Sequence, residues 1–298
     1  MGEYNSRHNI LNYSIALSAN TSWYLYNFRK GTIEAMLKDG HNVCCISPRD
    51  EYTDRLIELG CSWREVNIGS RGLNLYSELK TILRIYSSIS SYKPDILFNF
   101  TIKNNIYGTI CAYFQSIKVI NNISGLGEVF INKRIVYKYI QRFYKFILSF
   151  SDKIFYQNED DLNIILKNSS IKRNITEYIP GSGVNTARFN IEYLHKKQSD
   201  DKTFKFIYAG RLLVEKGIYE LIESIKKINN TNIQARLLVV GISGKENISI
   251  KKNIKEWSSL PGVEFFEMTD SIEDFLKMAD CLVLPSYREG LSRSILEA

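Results

Sequence analysis

The sequence predicts an α/β fold built as two open parallel sheets in tandem, the second incomplete, and three observations carry that prediction. Short apolar runs alternate with longer amphipathic segments along almost the whole chain, which is the pattern of βαβ units whose sheet is covered on both faces. The alternation breaks once, at Ile179-Pro180-Gly181-Ser182-Gly183-Val184 and the polar stretch Glu192 to Lys202, and then restarts. At 298 residues the chain can bury two cores, and it ends just as a last helix begins.

In the first part, Tyr13 to Ala19 reads as a buried strand and Asn20-Thr21-Ser22 as a polar loop. Trp23 to Lys38 is an amphipathic helix that stops at Asp39-Gly40. A strand follows from His41 to Ser47, ended by Pro48, then a helix from Tyr52 to Leu59, ended by Gly60. Next come a helix over Leu75 to Tyr86, a strand over Ile96 to Phe100 and a helix over Ile106 to Phe114. A strand over Lys118 to Ile123, a long helix over Val136 to Phe150, a strand over Lys153 to Gln157 and a helix over Leu162 to Lys167 complete the first part. The boundary is expected near 180, giving units 1–180 and 181–298. The second unit predicts strands at Phe204 to Ala209, Arg236 to Val240, Val263 to Phe266 and Cys281 to Leu284. Helices at Gly217 to Ile228, Asn247 to Trp257 and Ile272 to Met278 alternate with them, and a terminal helix begins near Leu291.

Composition excludes several classes. Hydrophobic content of 44% and charged content of 24% are ordinary for a globular protein, not for a disordered or fibrous one. The formal net charge of +7 favours anionic partners. Cys44, Cys45, Cys61, Cys111 and Cys281 are scattered, with no C-x-x-C, so they read as reduced and mostly buried thiols of a cytoplasmic protein. The polar stretch from Met1 to Leu11 has no signal-peptide core, and no apolar run reaches membrane-spanning length.

Open parallel sheets bind ligands at the carboxyl ends of their strands. In the second unit those ends carry Gly210-Arg211, Gly241-Ile242, Glu267-Met268 and Pro285 to Gly290. Arg211 and Lys216 stand five apart between a strand and a helix. They read either as a fork and a point charge for phosphate oxygens or as two surface charges, one neutralised by Glu215. The loop ending at Gly290 feeds a helix N-terminus, where backbone N–H groups lack partners and the dipole favours an anion. Glu289 and Glu297, eight apart, suit sugar or ribose hydroxyls, because ionised carboxylates accept hydrogen bonds from diols. A metal site is not expected, since no D-x-D occurs in the chain.

These residues carry a resemblance. Gly210-Arg211, Lys216-Gly217, Val263-Glu-Phe-Phe, Ala279-Asp280 with Leu284-Pro285-Ser286, and Glu289-Gly290-Leu291-Ser292 with Glu297 resemble family 4 of the retaining, nucleotide-sugar-dependent glycosyltransferases, of GT-B architecture. The stretch Ile179 to Asn185 is similar to that family's interdomain linker. In the first part, Trp23 to Lys30, Ser47 to Tyr52, Asn99 to Asn104 and Asn121 to Gly127 resemble a narrower group that extends polyprenyl-diphosphate-linked saccharides for glycans, O-antigens and capsules. The resemblance implies two Rossmann-like domains and a UDP-sugar donor bound without metal. Arg211 and Lys216 would meet the diphosphate, Glu297 the ribose and Glu289 the sugar hydroxyls, and the N–H groups of Gly290, Leu291 and Ser292 would cap the phosphates. The glycine-rich first loop of many relatives is replaced here by Ser18 to Ser22, so Asn20, Thr21 or Ser22 would supply any contact there. His8, His41 and His195 lie at no cleft loop. Relatives continue past this point of the fold, so a chain ending at Ala298 is expected to be weakly active or inactive.

Four further features remain. Residues 133–150 hold five basic side chains (Lys133, Arg134, Lys138, Arg142, Lys145), no acidic ones and six aromatics, the composition either of a helix lying on an anionic bilayer or of a core helix with snorkelling lysines. The first of these places the protein on the inner membrane face as a peripheral protein. Lys103 reads as a contact for an acceptor diphosphate or as a surface charge, and Gly125 as a turn shaping the acceptor cleft. Glu159-Asp160-Asp161 reads as helix capping, and no nucleic-acid partner is indicated. Two alternatives to transfer stay open: a nucleotide-sugar 2-epimerase, which would need general acid and base groups in the cleft and against which the missing cleft histidine argues, and a non-catalytic nucleotide-sugar-binding remnant.

Overall fold

The computed structural model describes residues 12–68, 75–127, 130, 134–190, 203–231, 233–244, 246 and 248–298. The chain divides into two compact units between Ser182 and Gly183. In the first, β1 (Ser14–Ser18), α1 (Ser22–Lys38), β2 (Asn42–Ser47), α2 (Thr53–Glu58), β3 (Ser62–Glu65), α3 (Leu75–Tyr92), β4 (Ile96–Phe100) and α4 (Ile102–Phe114) follow one another. After them come β5 (Lys118–Ile123), α5 (Ile135–Leu148), β6 (Lys153–Tyr156), α6 (Glu159–Leu166), a short 3₁₀ turn and β7 (Thr176–Tyr178). The sheet order is β3-β2-β1-β4-β5-β6-β7, with every pairing parallel. The order reverses between β1 and β4, which opens a crevice at their carboxyl ends.

The pleat explains the two layers. Along β1, Ile15 and Leu17 pack on one face with Leu25 and Ile33 of α1, while Ala16 packs on the other with Ile85 and Ile89 of α3. The central strands are apolar on both faces, which is why their runs are legible in the sequence. The edge strands β3 (Ser-Trp-Arg-Glu) and β7 (Thr-Glu-Tyr) are largely exposed and polar, and the apolar pattern does not mark them.

The second unit contains β8 (Phe204–Ala209), α7 (Ile218–Asn229), β9 (Ala235–Ile242), α8 (Ile248–Trp257), β10 (Val263–Glu267), α9 (Ile272–Met278), β11 (Cys281–Leu282) and α10 (Arg293–Glu297). Its parallel sheet runs β10-β9-β8-β11. Leu237 and Val239 of β9 face Ile218, Ile222 and Ile225 of α7, whereas Leu238 and Val240 face Phe275 and Leu276 of α9. Both sheets are therefore doubly covered, as the alternation predicts. Cys44, Cys45, Cys61 and Cys111 are buried, and Cys281 is exposed.

Two of the boundaries that differ from expectation bear on candidate residues. Helix α4 begins at Ile102 rather than Ile106, which moves Lys103 from a loop into a first helical turn. The acidic triplet belongs to the first turn of α6, and the cap itself is Asn158, whose side chain accepts from the Asp161 N–H at 2.8 Å.

A set of buried amides pins the first sheet. Asn121 Oδ1 accepts from Asn99 Nδ2 at 3.1 Å, and Asn121 Nδ2 donates to Thr109 Oγ1 and Ser151 Oγ at 2.7 and 2.8 Å. Asn121→Ala would leave several buried groups without partners, so a loss of about 3 kcal/mol is expected in urea unfolding of the chain. Unfolding unchanged within error would contradict that account.

Candidate functional site

The second unit brings most of its sequence-predicted residues together at one sheet edge. β8 ends in Gly210, whose N–H donates to Val240 O at 3.0 Å, and the chain continues through Arg211 to a 3₁₀ turn, Val214–Lys216. Gly217 then turns left-handed, with φ of 71°, to start α7. A β-carbon there would lie 2.2 Å from Pro285 O, so only glycine lets this turn approach the loop after β11. The two loops are joined again where the Tyr287 N–H donates to Glu215 O at 3.0 Å and where Tyr287 Oη donates to Glu220 Oε1 at 2.5 Å.

The central contact is between Lys216 Nζ and Glu289 Oε1, 2.5 Å apart and both mostly buried. The cation is thus held by Glu289 and not by its sequence neighbour Glu215. Arg211 is exposed, and its guanidinium makes no hydrogen bond or ion pair with another described residue; its carbonyl accepts from Tyr208 Oη at 2.7 Å. Tyr208 is fully buried under the loop. Burial first, and then the Glu289 charge, push its phenol well above the ordinary range. Ser286 Oγ is buried without a hydrogen-bond partner among the described residues. Tyr208 escaped the sequence analysis, because nothing in its spacing marks a hydroxyl that faces a loop from below, and Ser286 and Tyr287 were legible as loop residues without their partners. Gly290, Leu291 and Ser292 lead into α10, and Ser292 Oγ meets Ser294 Oγ at 2.8 Å.

Glu297 has different company. It pairs with Arg293 at 2.6 Å, one turn earlier on α10. Burial pushes its carboxyl up, more than the nearby Arg293 and Arg188 charges draw it down. Arg188 in turn pairs with Glu273 at 2.5 Å and donates to Asp270 O. A four-residue charge cluster therefore surrounds Glu297. At Glu273, burial opposes ionisation, but the hydrogen bond from Arg188, a backbone N–H and neighbouring cations outweigh it and hold the carboxyl low.

In the first unit Asn20 and Thr21 follow β1, Lys103 follows β4 and Gly125 follows β5, which are adjacent strands. Thr21 is the N-cap of α1, its Oγ1 accepting from the Tyr24 N–H at 3.0 Å. Lys103 Nζ is bound to Glu78 Oε1 at 2.6 Å, and Glu78 Oε2 accepts from Tyr107 Oη at 2.5 Å. Lys103 is thus an ion-paired side chain rather than a free surface charge. Gly125 has φ of 133°, a turn that favours glycine. His41 Nδ1 accepts from the Tyr13 N–H, and His8 and His195 lie outside the described residues.

Helix α5 is two-faced. Tyr144, Ile147 and Leu148 are buried, whereas Ile135, Val136, Tyr139, Phe143 and Phe146 are exposed. Lys145 Nζ donates to Lys167 O at 2.8 Å, and Lys133 lies outside the described residues.

The model of the family "Glycosyl transferase 4-like" matches residues 14–158, and that of "Glycosyl transferases group 1" matches residues 190–298. The chain belongs to the family 4 glycosyltransferases of GT-B architecture. It is 26% identical over 287 residues to the N,N'-diacetylbacillosaminyl-diphospho-undecaprenol alpha-1,3-N-acetylgalactosaminyltransferase of Campylobacter jejuni, covering 92% of this chain and 74% of that one. It is 24% identical over 246 residues to the UDP-Gal:alpha-D-GlcNAc-diphosphoundecaprenol alpha-1,3-galactosyltransferase of Escherichia coli, covering 76% of this chain and 61% of that one. The chain thus spans about three-fifths to three-quarters of these relatives. The fold is shared with Anabaena HepE solved with UDP-glucose, at a TM-score of 0.75 and 12% identity, over 96% of this chain and 78% of that one.

The charge cluster around Glu297 gives a pH prediction. Because Glu273 is held low, its ionisation stabilises the fold at neutral pH, and that contribution fades as pH falls below the ordinary carboxylate value. Glu273→Gln should therefore cost about 1 kcal/mol at pH 7 and progressively less towards pH 3, measured by urea unfolding. Glu297 is raised, so its ionised form opposes folding above its own value, and Glu297→Gln should not destabilise the chain at pH 7. Equal losses for both variants at pH 7 would contradict this assignment.

Proposed function

We propose that the chain transfers a hexose or N-acetylhexosamine, with retention, from a UDP-sugar to a polyprenyl-diphosphate-linked saccharide. The observation that supports this best is the Lys216–Glu289 pair at the carboxyl ends of β8 and β11, with the exposed Arg211 on the same loop as Lys216. A diphosphate arriving there meets a fork and a mobile cation, with the N–H groups of Gly290, Leu291 and Ser292 close in sequence to Glu289. Binding would draw Lys216 from Glu289 to the phosphates and turn the carboxylate over to sugar hydroxyls. Glu297 would take the ribose diol. As the glycosidic bond breaks, negative charge grows on the leaving phosphate, and Arg211 and Lys216 are suited to stabilise it more strongly than in the ground state. The leaving phosphate oxygen can then accept the proton of the attacking hydroxyl on the same face, so the step needs no separate carboxylate base. The two relatives described above, both named for transfer to diphospho-undecaprenol-linked sugars, favour the lipid-linked acceptor.

Binding of UDP by isothermal titration tests the donor site. Arg211→Ala and Lys216→Ala should each weaken UDP tenfold to a hundredfold, from charge-assisted bonds of about 1.5–3 kcal/mol. Glu289→Gln should bind UDP at least as tightly as the parent, since Lys216 loses a competitor, yet lose sugar transfer. UDP affinity indifferent to all three changes would refute the site. Release of UDP that requires a lipid-linked acceptor separates transfer from epimerisation and from mere binding.

The acceptor is proposed to be met at a membrane surface through α5. Its exposed Tyr139, Phe143 and Phe146 lie among Arg134, Lys138 and Arg142, and no acidic residue occurs on the helix. No helix among the described residues is long and apolar enough to cross a membrane. Charge reversal at Lys138 and Arg142 should lower co-sedimentation with phosphatidylglycerol vesicles at least several-fold and leave neutral vesicles unaffected. Sedimentation that ignores the reversal rules the surface out.

A further inference from the structure

The first unit contains a buried cation with no carboxylate partner among the described residues. Arg29, in the second turn of α1, is 6% exposed. Its Nη2 donates to Tyr24 Oη at 3.1 Å, and its Cζ lies 4.4 Å from the centre of the Phe100 ring and 5.7 Å from that of Tyr24. Its Nε is buried with no acceptor, and it makes no ion pair among the described residues. A guanidinium carries five N–H donors in a planar fork. Aromatic faces attract the charge but accept none of the in-plane N–H groups, so most of this fork lacks an oxygen. A buried charge in that condition ordinarily has a counter-ion.

Its position says where the counter-ion would come from. Tyr24 is in the first turn of α1 and Phe100 is the last residue of β4, so the guanidinium reaches back to the carboxyl edge of β1 and β4, where the strand order reverses. Beside it, Thr101 has φ of 76° and ψ of 152°, a region almost confined to glycine. Thr101 Oγ1 donates to Asn104 Oδ1 at 2.9 Å, and Asn104 Nδ2 donates to Ser18 Oγ at 2.6 Å, which ties the end of β1 to the start of α4. Three other donors at this edge already have acceptors. The Trp23 N–H is bound by Asp50 Oδ2 at 3.0 Å, the Tyr24 N–H by Thr21, and Lys103 by Glu78. Arg29 alone among them presents donors without an acceptor.

We propose that Arg29 is a phosphoryl-binding residue of the first unit, its fork holding a diphosphate oxygen at the carboxyl edge of β1 and β4. The proposed transfer reaction is relied on only to say which diphosphate arrives, that of the lipid-linked acceptor or that of the nucleotide sugar.

Inorganic pyrophosphate serves as the probe, in an Arg211→Ala/Lys216→Ala background that disables the second-unit site. Pyrophosphate should raise the melting temperature of that chain by about 2 °C or more, and adding Arg29→Met should abolish the shift. Phe100→Leu removes the aromatic seat and keeps the fork, so it should lower the baseline yet retain a shift. If Arg29→Met does not fold, equilibrium binding of radiolabelled pyrophosphate to Arg29→Lys replaces it, with about tenfold weaker binding expected. No pyrophosphate shift with Arg29 intact, or equal binding after its replacement, overturns the proposal. In the otherwise unaltered chain, Arg29→Lys raising the KM of the lipid-linked acceptor assigns the acceptor diphosphate, and raising the KM of the UDP-sugar assigns the donor. Should the chain fail to bind UDP while the pyrophosphate shift still depends on Arg29, the transfer reading falls and this site stands.

Discussion

The ion pair between Lys216 and Glu289 is the contact on which the candidate site depends. It joins the loop after β8 to the loop after β11 across 73 residues of sequence, and everything near it supports that closure. Gly217 admits Pro285 because it has no β-carbon, Tyr287 hydrogen-bonds Glu215 and Glu220, and Tyr208 supports the Arg211 carbonyl from below. The pair also sets the electrostatics of the candidate site. One of its two cations is neutralised by the carboxylate proposed to meet the sugar, so an arriving diphosphate would both gain a cation and release an acceptor for hydroxyls.

A second charged group, formed by Arg188, Glu273, Arg293 and Glu297, fixes the terminal helix by different means. Its two carboxylates respond in opposite directions to their surroundings, although both touch arginines. Glu273 receives a hydrogen bond from Arg188 and is held low, whereas burial dominates at Glu297. A carboxylate that resists ionisation in isolation is one that gains from further hydrogen-bond donors, which is the condition a ribose diol would meet. Arg188 lies between the Ile179–Val184 break and the polar stretch 192–202, so a linker residue bears on the helix at the far end of the unit.

The fold was largely legible because parallel strands buried on both faces leave dense apolar runs, as in β1, β2, β4 and β9. Edge strands β3 and β7 were not, since Arg64, Glu65 and Glu177 stand exposed where a central strand would carry apolar side chains. The residues of the second-unit loops were legible as a set, because strand ends place them on one edge. Their partners were not. Sequence proximity favoured Glu215 for Lys216, and only the return of the chain beside β8 brings Glu289 there. Thr21 illustrates a polar residue whose hydroxyl closes a helix, and Lys103 one whose charge meets Glu78 from α3. Arg29 was visible only as one letter in a resemblance, since nothing in its neighbours announces that its guanidinium is buried on a ring.

The most direct measurement of the central claim is hydrogen–deuterium exchange of the 298-residue chain with and without UDP. The account predicts slower exchange of the backbone N–H groups in residues 210–217 and 285–292 together, because the nucleotide diphosphate would bridge the loops that Lys216 and Glu289 now join. Protection confined to one loop, or found elsewhere while both loops exchange unchanged, would contradict it.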